Sequence, residues 1–249
     1  MGKVIFNADD FGYSRGMNYA IVDSHRLGIL TSTTLMAAMP GFDHAVSLSK
    51  DNPNLGIGVH LTLTCGYPLL KNHKTIVDEK GMFKKLSFFE NDNLYDIDEV
   101  YEEWDAQIKK IIEAGIAPTH LDSHHHVHSF PKQNAVIIRL ARKYHLPIRN
   151  NFEIPEDIRH TSYFEPLFDH VGAEKESRIQ VYLNNLIDVI QTHDSVEVMC
   201  HPGYLDYDIF EGSALLRNRV NVTEFLIHSD FSKRLKEIEN IELVNYSKL

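Results

Sequence analysis

The chain has 249 residues, 43% of them hydrophobic, which is enough to bury one substantial core and is the usual size of one α/β barrel. A formal net charge of -10, with no Lys/Arg cluster to offset it locally, argues against a nucleic-acid partner or an anionic membrane surface and suits a neutral or cationic small substrate. Cys65 and Cys200 are too few, and too far apart for a CxxC motif, to form a disulfide framework. With an N-terminus that reads as neither signal peptide nor membrane span, they lead us to expect a soluble cytoplasmic protein.

Val4-Ile5-Phe6 is a short apolar strand that runs into the acidic loop Asn7-Ala8-Asp9-Asp10-Phe11-Gly12, and the apolar spacing over 16–27 predicts a helix after it. A second strand is expected over 33–38 with a helix over 43–49, and a third strand over 55–63 carries His60. Residues 65–95 mix Gly, Pro, Asn, Asp and Lys, as in a functional excursion. Ile97, Val100, Tyr101, Trp104, Ile108, Ile111 and Ile112 then recur at helical spacing, with Gly115 near the end.

A strand over 118–122 leads into the histidine tract, and Pro131 opens a helix that runs to about 144. A short fifth strand is expected over 146–149, followed by a second excursion at 151–172. A helix over 174–191, a strand over 196–200, a helix over 222–237 and a strand over 241–244 complete the chain. This alternation predicts about seven parallel strands covered by helices. Asp9, Asp10, His60, the tract and His201 all fall at strand carboxyl ends, which only one rim of a barrel would collect around a point. The expected fold is therefore a TIM-barrel-like (β/α) barrel variant, one domain over 1–249.

The tract Thr119-His120-Leu121-Asp122-Ser123-His124-His125-His126-Val127-His128 places five of the fifteen histidines within nine residues. Neutral imidazoles are common ligands of zinc-like cations, so a metal site is the first reading. An extended strand would put 120, 122, 124, 126 and 128 on one face, but at ~3.3 Å per residue its ends would lie about 26 Å apart. One member, or two alternating neighbours, can therefore serve one ion, and the other donors must come from elsewhere. Asp122, His126 and His128 are left for substrate contacts or supporting bonds.

Asp9 and Asp10 are adjacent, so one can bind a cation while the other faces substrate or water; a turn or capping pair is the plainer alternative. One Asp with two His from separate strands is a catalytic type of ligand set, because it leaves positions open. His201, presented by Pro202 and Gly203, suits a general acid, and Arg149 can pair with one of the aspartates and keep it ionised.

The ordered segments Asn7-Ala8-Asp9-Asp10-Phe11-Gly12, Thr31-Ser32-Thr33-Thr34, Gly58-Val59-His60-Leu61-Thr62-Leu63-Thr64, the histidine tract and Met199-Cys200-His201-Pro202 together resemble the YdjC-like carbohydrate deacetylases, a family that includes diacetylchitobiose deacetylases. The resemblance implies a (β/α) barrel variant, one divalent metal ion (Mg or Zn), and hydrolysis of an N-acetyl group from an acetylated amino sugar such as a chitooligosaccharide. It also implies Asp10, His60 and His124 as metal ligands and Asp9 as base, and it allows a homodimer.

By analogy with NodB-type polysaccharide deacetylases, His201 would be the acid, with His126 as second candidate, and Arg149 would hold Asp9. Those enzymes carry a His-x-x-x-His ligand pair that this chain replaces with His60 and the tract. Two other readings stand beside this one. A metal-dependent phosphoester hydrolase would want more basic residues near the motifs, and a non-catalytic metal- or sugar-binding protein would need no base beside the ligands.

Overall fold

The structure is a computed structural model that describes residues 2–90, 94–173 and 176–249. Its strands are β1 (Gly2–Phe11), β2 (Ser32–Leu35), β3 (Gly56–Leu61), β4 (Leu121–Ser123), β5 (Tyr163–Glu165), β6 (Ser195–Cys200) and β7 (Ile241–Leu243). Its helices are α1 (Arg15–Leu27), α2 (Phe42–Lys50), α3 (Leu86–Phe89), α4 (Ile97–Glu113), α5 (Pro131–Tyr144), α6 (Glu176–Thr192), α7 (Tyr207–Gly212), α8 (Arg217–His228) and α9 (Asp230–Leu235).

The seven-stranded sheet runs β4-β3-β2-β1-β6-β5. β7 pairs with Gly2 to Val4 of β1, ahead of the Asn7 to Phe11 stretch that β2 takes. Every ladder is parallel, and the sheet curls into a half-barrel.

Alternation along the strands gives this sheet two chemically different faces. Val4, Phe6 and Ala8 of β1, Ile57, Val59 and Leu61 of β3, and Val196, Val198 and Cys200 of β6 enter the main hydrophobic core beneath the helices. The intervening residues, Asn7 and Asp9, Gly58 and His60, and Glu197, line the inner face, where polar side chains bond to one another across strands. One of these positions has to be glycine: a Cβ on Gly58 would meet the His120 ring at 2.5 Å.

The helices follow their sequence signals closely. Ser14 caps α1 by accepting from the Met17 N–H, Pro131 stands in the first turn of α5, and His145 ends that helix in the left-handed conformation. Val100, Trp104, Ile108 and Ile111 of α4 are buried, whereas Ile112, expected in the same stripe, is 42% exposed.

Two expected elements differ. Residues 146–149 form no strand beyond one isolated bridge of Ile148 to Leu121, closed by the Pro147 carbonyl and the Arg149 N–H, while the Ile148 N–H on the other side donates to the carbonyl of Arg159. The fifth strand lies at 163–165, inside the second excursion. The helix expected over 222–237 is two helices, α8 and α9, because Ser229 adopts an extended conformation and caps α9 by accepting from the Ser232 N–H. The start expected for α6 at Glu174 lies outside the described residues. Among the described residues no helix is long and apolar enough to cross a membrane.

Candidate active site

A register shift in the β1–β2 ladder between Ala8 and Phe11, together with a left-handed backbone at Asp10 (φ 69°), breaks the alternation at the end of β1. Two consecutive carboxylates can therefore line one cavity. A non-glycine residue held at positive φ stores strain, and such strain is concentrated where function needs the geometry.

Beyond β4 the chain does not stay extended. β4 ends at Ser123, and residues 124–129 form a 3-10 turn in which His125 and His126 have φ of 56° and 54°. The single-face arrangement expected of the tract is thus replaced by a tight turn that sets His124, His125 and His126 against a cavity of about 410 Å³, shared with Asp9, Asp10, His60 and His201.

Asp10 is the centre of one cluster. Its Oδ1 lies 3.0 Å from His124 Nδ1 and 3.4 Å from His60 Nε2, and its Oδ2 accepts from Arg219 Nη2 at 2.9 Å. Burial acts to raise the Asp10 carboxyl, but His124, His60 and Arg219 outweigh it and hold the group well below the usual carboxylate range.

His60 shares its Nδ1 with Asp122 at 2.7 Å and Thr34 at 3.0 Å, so its Nε2 is the nitrogen turned toward Asp10. Burial opposes charge on this ring, yet Asp122, Asp9 and Asp10 push it up to about 10. The same negative field favours a metal cation in place of that proton.

Asp10, His60 and His124 offer ligand atoms within 4.8 Å of one another and can hold a divalent ion. A carboxylate behind the distal ring nitrogen, as Asp122 stands behind His60, is the usual support for a ligating histidine. A second grouping, Asp9 with His60 and Asp122, meets the same distance test. It fits less well, because Arg149 bonds to both of its carboxylates.

Asp9 lines the same cavity but has different partners. Arg149 clamps it through Nη1 to Oδ2 at 2.9 Å and Nη2 to Oδ1 at 2.6 Å, and Asn7 donates to Oδ1 at 3.1 Å. Burial would raise this carboxyl, but Arg149, with smaller contributions from His60 and His201, keeps it ionised.

His201 Nε2 stands 3.8 Å from Asp9 Oδ2, while its Nδ1 meets Asp169 Oδ2 at 2.6 Å and its backbone N–H meets Asp169 Oδ1 at 2.9 Å. Burial works against protonation of His201, and Asp169 overcomes it, so the ring titrates above the ordinary histidine value. His126 is pushed the opposite way, down to about 4, by burial and by the Arg149 cation. A neutral His126 on the cavity wall can contact substrate but is poorly suited to donate a proton.

Asp122 and His128, expected at substrate, do not reach the cavity. Both are fully buried: Asp122 is taken up by His60, Thr34 and Arg149. His128 bonds through Nδ1 to Ser123 at 2.6 Å and through Nε2 to Asn151 at 2.7 Å. Both therefore act as supports.

Sequence reasoning missed Asp169, which is hidden in the second excursion, and Arg219, whose chain position carries no motif. Glu197 was findable: it is the one charged residue in the otherwise apolar run Val196-Glu197-Val198-Met199-Cys200. In the structure it accepts from Arg149 Nε at 2.9 Å, and burial raises its carboxyl more than Arg149 and Tyr246 lower it.

With its polar chemistry gathered where parallel strands end, the chain falls in the class of (β/α) barrel-type proteins with a strand-end site suited to a divalent cation. It belongs to the YdjC-like protein family, which it matches over residues 3–237. A relative from Listeria innocua named carbohydrate deacetylase 2 is 42% identical over 98% of this chain and 97% of its own. A carbohydrate deacetylase from Clostridium beijerinckii is 40% identical over 98% of both.

Among solved structures, a protein from Enterococcus faecalis V583, whose name provisionally assigns it to cellobiose-phosphate cleavage, superposes with a TM-score of 0.88 at 32% identity. That match covers 99% of this chain and 98% of the other. An uncharacterized protein from Agrobacterium tumefaciens C58 shares the fold alone, at 11% identity and a TM-score of 0.52 over 99% of this chain and 88% of its own.

Proposed function

We propose that this protein is a metal-dependent carbohydrate deacetylase, a hydrolase that cleaves the amide C–N bond of an N-acetylated amino sugar, such as diacetylchitobiose or another chitooligosaccharide, and releases acetate. The observation that carries the reading is the pairing of Asp9 with His201 across the cavity, beside the Asp10–His60–His124 cluster. The names of the relatives support the same chemistry.

Asp10, His60 and His124 would hold one Mg or Zn ion, which when bound polarises the acetyl carbonyl and acidifies water. Asp9, ionised and fixed by Arg149, takes a proton from the attacking water as its oxygen bonds to the carbonyl carbon. His201, kept protonated by Asp169, gives its Nε2 proton to the amide nitrogen as the C–N bond breaks. Acetate and a free amine leave. His126 and His125, both neutral at the cavity wall, contact the sugar. The unpaired cysteines suit a reducing, cytoplasmic setting.

A phosphoester hydrolase would need cations free to face phosphate. Arg149 is spent on Asp9, Asp122 and Glu197, and Arg219 gives Nη2 to Asp10. A purely binding protein has no use for a base and a carboxylate-supported acid on one cavity. The test is acetate release by purified protein supplied with Zn or Mg and a panel of N-acetylated oligosaccharides. Phosphate release from phosphoesters with no acetate from any sugar would overturn the reading.

A further inference from the structure

Arg149 is gripped on two edges, with a further contact from Nη2 to Asp122 Oδ2 at 2.8 Å. Its Nη1 and Nη2 meet Asp9, while its Nε and Nη2 meet Oε1 of Glu197 at 2.9 and 2.8 Å. A guanidinium is a rigid planar fork, so holding two of its edges fixes its plane and the direction in which it presents donors to Asp9. Glu197 is held in turn: its other oxygen, Oε2, accepts from the Tyr246 hydroxyl.

Tyr246 belongs to the 3-10 turn Tyr246–Lys248 that follows β7, beyond the stretch that matches the family. Its ring stacks on His120 at a centroid distance of 3.7 Å and 8° between planes, and it packs with Ile5 and Val244 in a separate apolar cluster. Ile5 lies in register with Glu197, four residues before Asp9 on β1, so this plug closes the end of the half-barrel opposite the cavity. Arg149, Glu197 and Tyr246 are each fully buried, so no solvent stands ready to replace a lost bond.

We propose that Glu197 and Tyr246 are positioning residues for the Asp9 base, acting through Arg149 from the closed end of the half-barrel. Neither lines the cavity, and neither bonds to Asp10, His60 or His124, so their effect falls first on the chemical step through Asp9 and reaches His60 only indirectly, through the Arg149–Asp122 bond. Without Glu197 the guanidinium loses its Nε anchor and, held besides Asp9 only by Asp122 at Nη2, can pivot away from one Asp9 oxygen. Glu197→Gln keeps an oxygen for Nε and an amide for Tyr246, whereas Tyr246→Phe keeps the stack on His120 and deletes only the bond to Glu197. In its kinetic arm the inference rests on the deacetylase reading; in its structural arm it does not.

The experiment compares the full-length zinc-loaded protein and these variants for kcat and KM of acetate release from diacetylchitobiose, for bound zinc, and for the Arg149–Asp9 geometry in crystals. Glu197→Ala is expected to lower kcat about 100-fold, the scale of a small misplacement of a reacting group, with KM and zinc content within about twofold of wild type. Tyr246→Phe is expected to lower kcat about three- to tenfold, as for one lost buried hydrogen bond, and Glu197→Gln to stay within about fivefold of wild type. In the Glu197→Ala crystal Arg149 should keep at most one of its two contacts with Asp9.

Unchanged kcat in Glu197→Ala, a loss confined to KM, or both Arg149–Asp9 contacts intact would overturn the inference. If Glu197→Ala does not fold, Tyr246→Phe decides, and unchanged kcat with an unmoved Arg149 overturns it. If the wild type releases no acetate, the deacetylase reading falls and the crystal comparison alone judges the positioning role.

Discussion

His60 and Asp122 share a hydrogen bond of 2.7 Å at Nδ1, and the pair is fully enclosed between β3 and β4, which are in register at these two residues. That bond fixes the tautomer of His60 and leaves Nε2 as the donor atom facing Asp10. Asp122→Asn should therefore lower divalent-metal affinity about 10- to 100-fold, the usual cost of removing a carboxylate behind a ligating histidine. Titration calorimetry with zinc would measure it, and unaltered affinity would contradict the assigned tautomer.

Replacing Asp9 separates base from ligand. Asp9→Asn should cut kcat by about 10²- to 10⁴-fold, the range for a lost general base, while bound metal measured by elemental analysis stays near wild type. His60→Ala should do the reverse and lose the metal. Parallel loss of metal in both variants would show that Asp9 belongs to the ligand set.

Asp169 holds a proton on His201, so the pH profile should report its removal. The protonated acid is present below the raised pKa of His201 and is lost as pH climbs through it, above the ordinary value of 6.5. Asp169→Asn removes the charge that raises that pKa, and the alkaline limb of kcat/KM should move to lower pH. The stability that the His201–Asp169 pair contributes follows the same sign, full below pH 6.5 and lost above the raised value. An alkaline limb that does not move would assign the acid elsewhere.

Gly58 tests the packing of the inner face. A methyl group there would press on the His120 ring at 2.5 Å and on its carbonyl oxygen at 2.8 Å, and the ring has no room to retreat because it is stacked on Tyr246. Gly58→Ala should destabilise the fold by about 1–3 kcal/mol, the usual cost of overpacking. Urea denaturation would measure this, and a neutral result would mean that the His120–Tyr246 stack yields easily.

The sequence by itself determined the local periodicities and the chemistry available. The apolar runs of β1, β3 and β6 and the helical stripe of α4 are short-range patterns that burial alone makes legible, and so is the fall of Asp9, Asp10, His60 and His201 at strand ends. Only the tertiary structure decided which of these groups meet. Residues 146–149 keep only one bridge, Ile148 to Leu121 beside β4, while the fifth strand, over 163–165, pairs with β6 at the opposite edge of the sheet and carries no strong apolar signal. The histidine tract could not be read as a straight strand, because two left-handed residues turn it, and that conformation depends on the surrounding contacts. Asp169, Arg219 and Tyr246 come to the site network from 32, 209 and 49 residues away from His201, Asp10 and Glu197, their partners. No spacing rule spans such separations: these pairings arise from the curl of the half-barrel, which brings distant carboxylates and cations into a buried space where each must be matched.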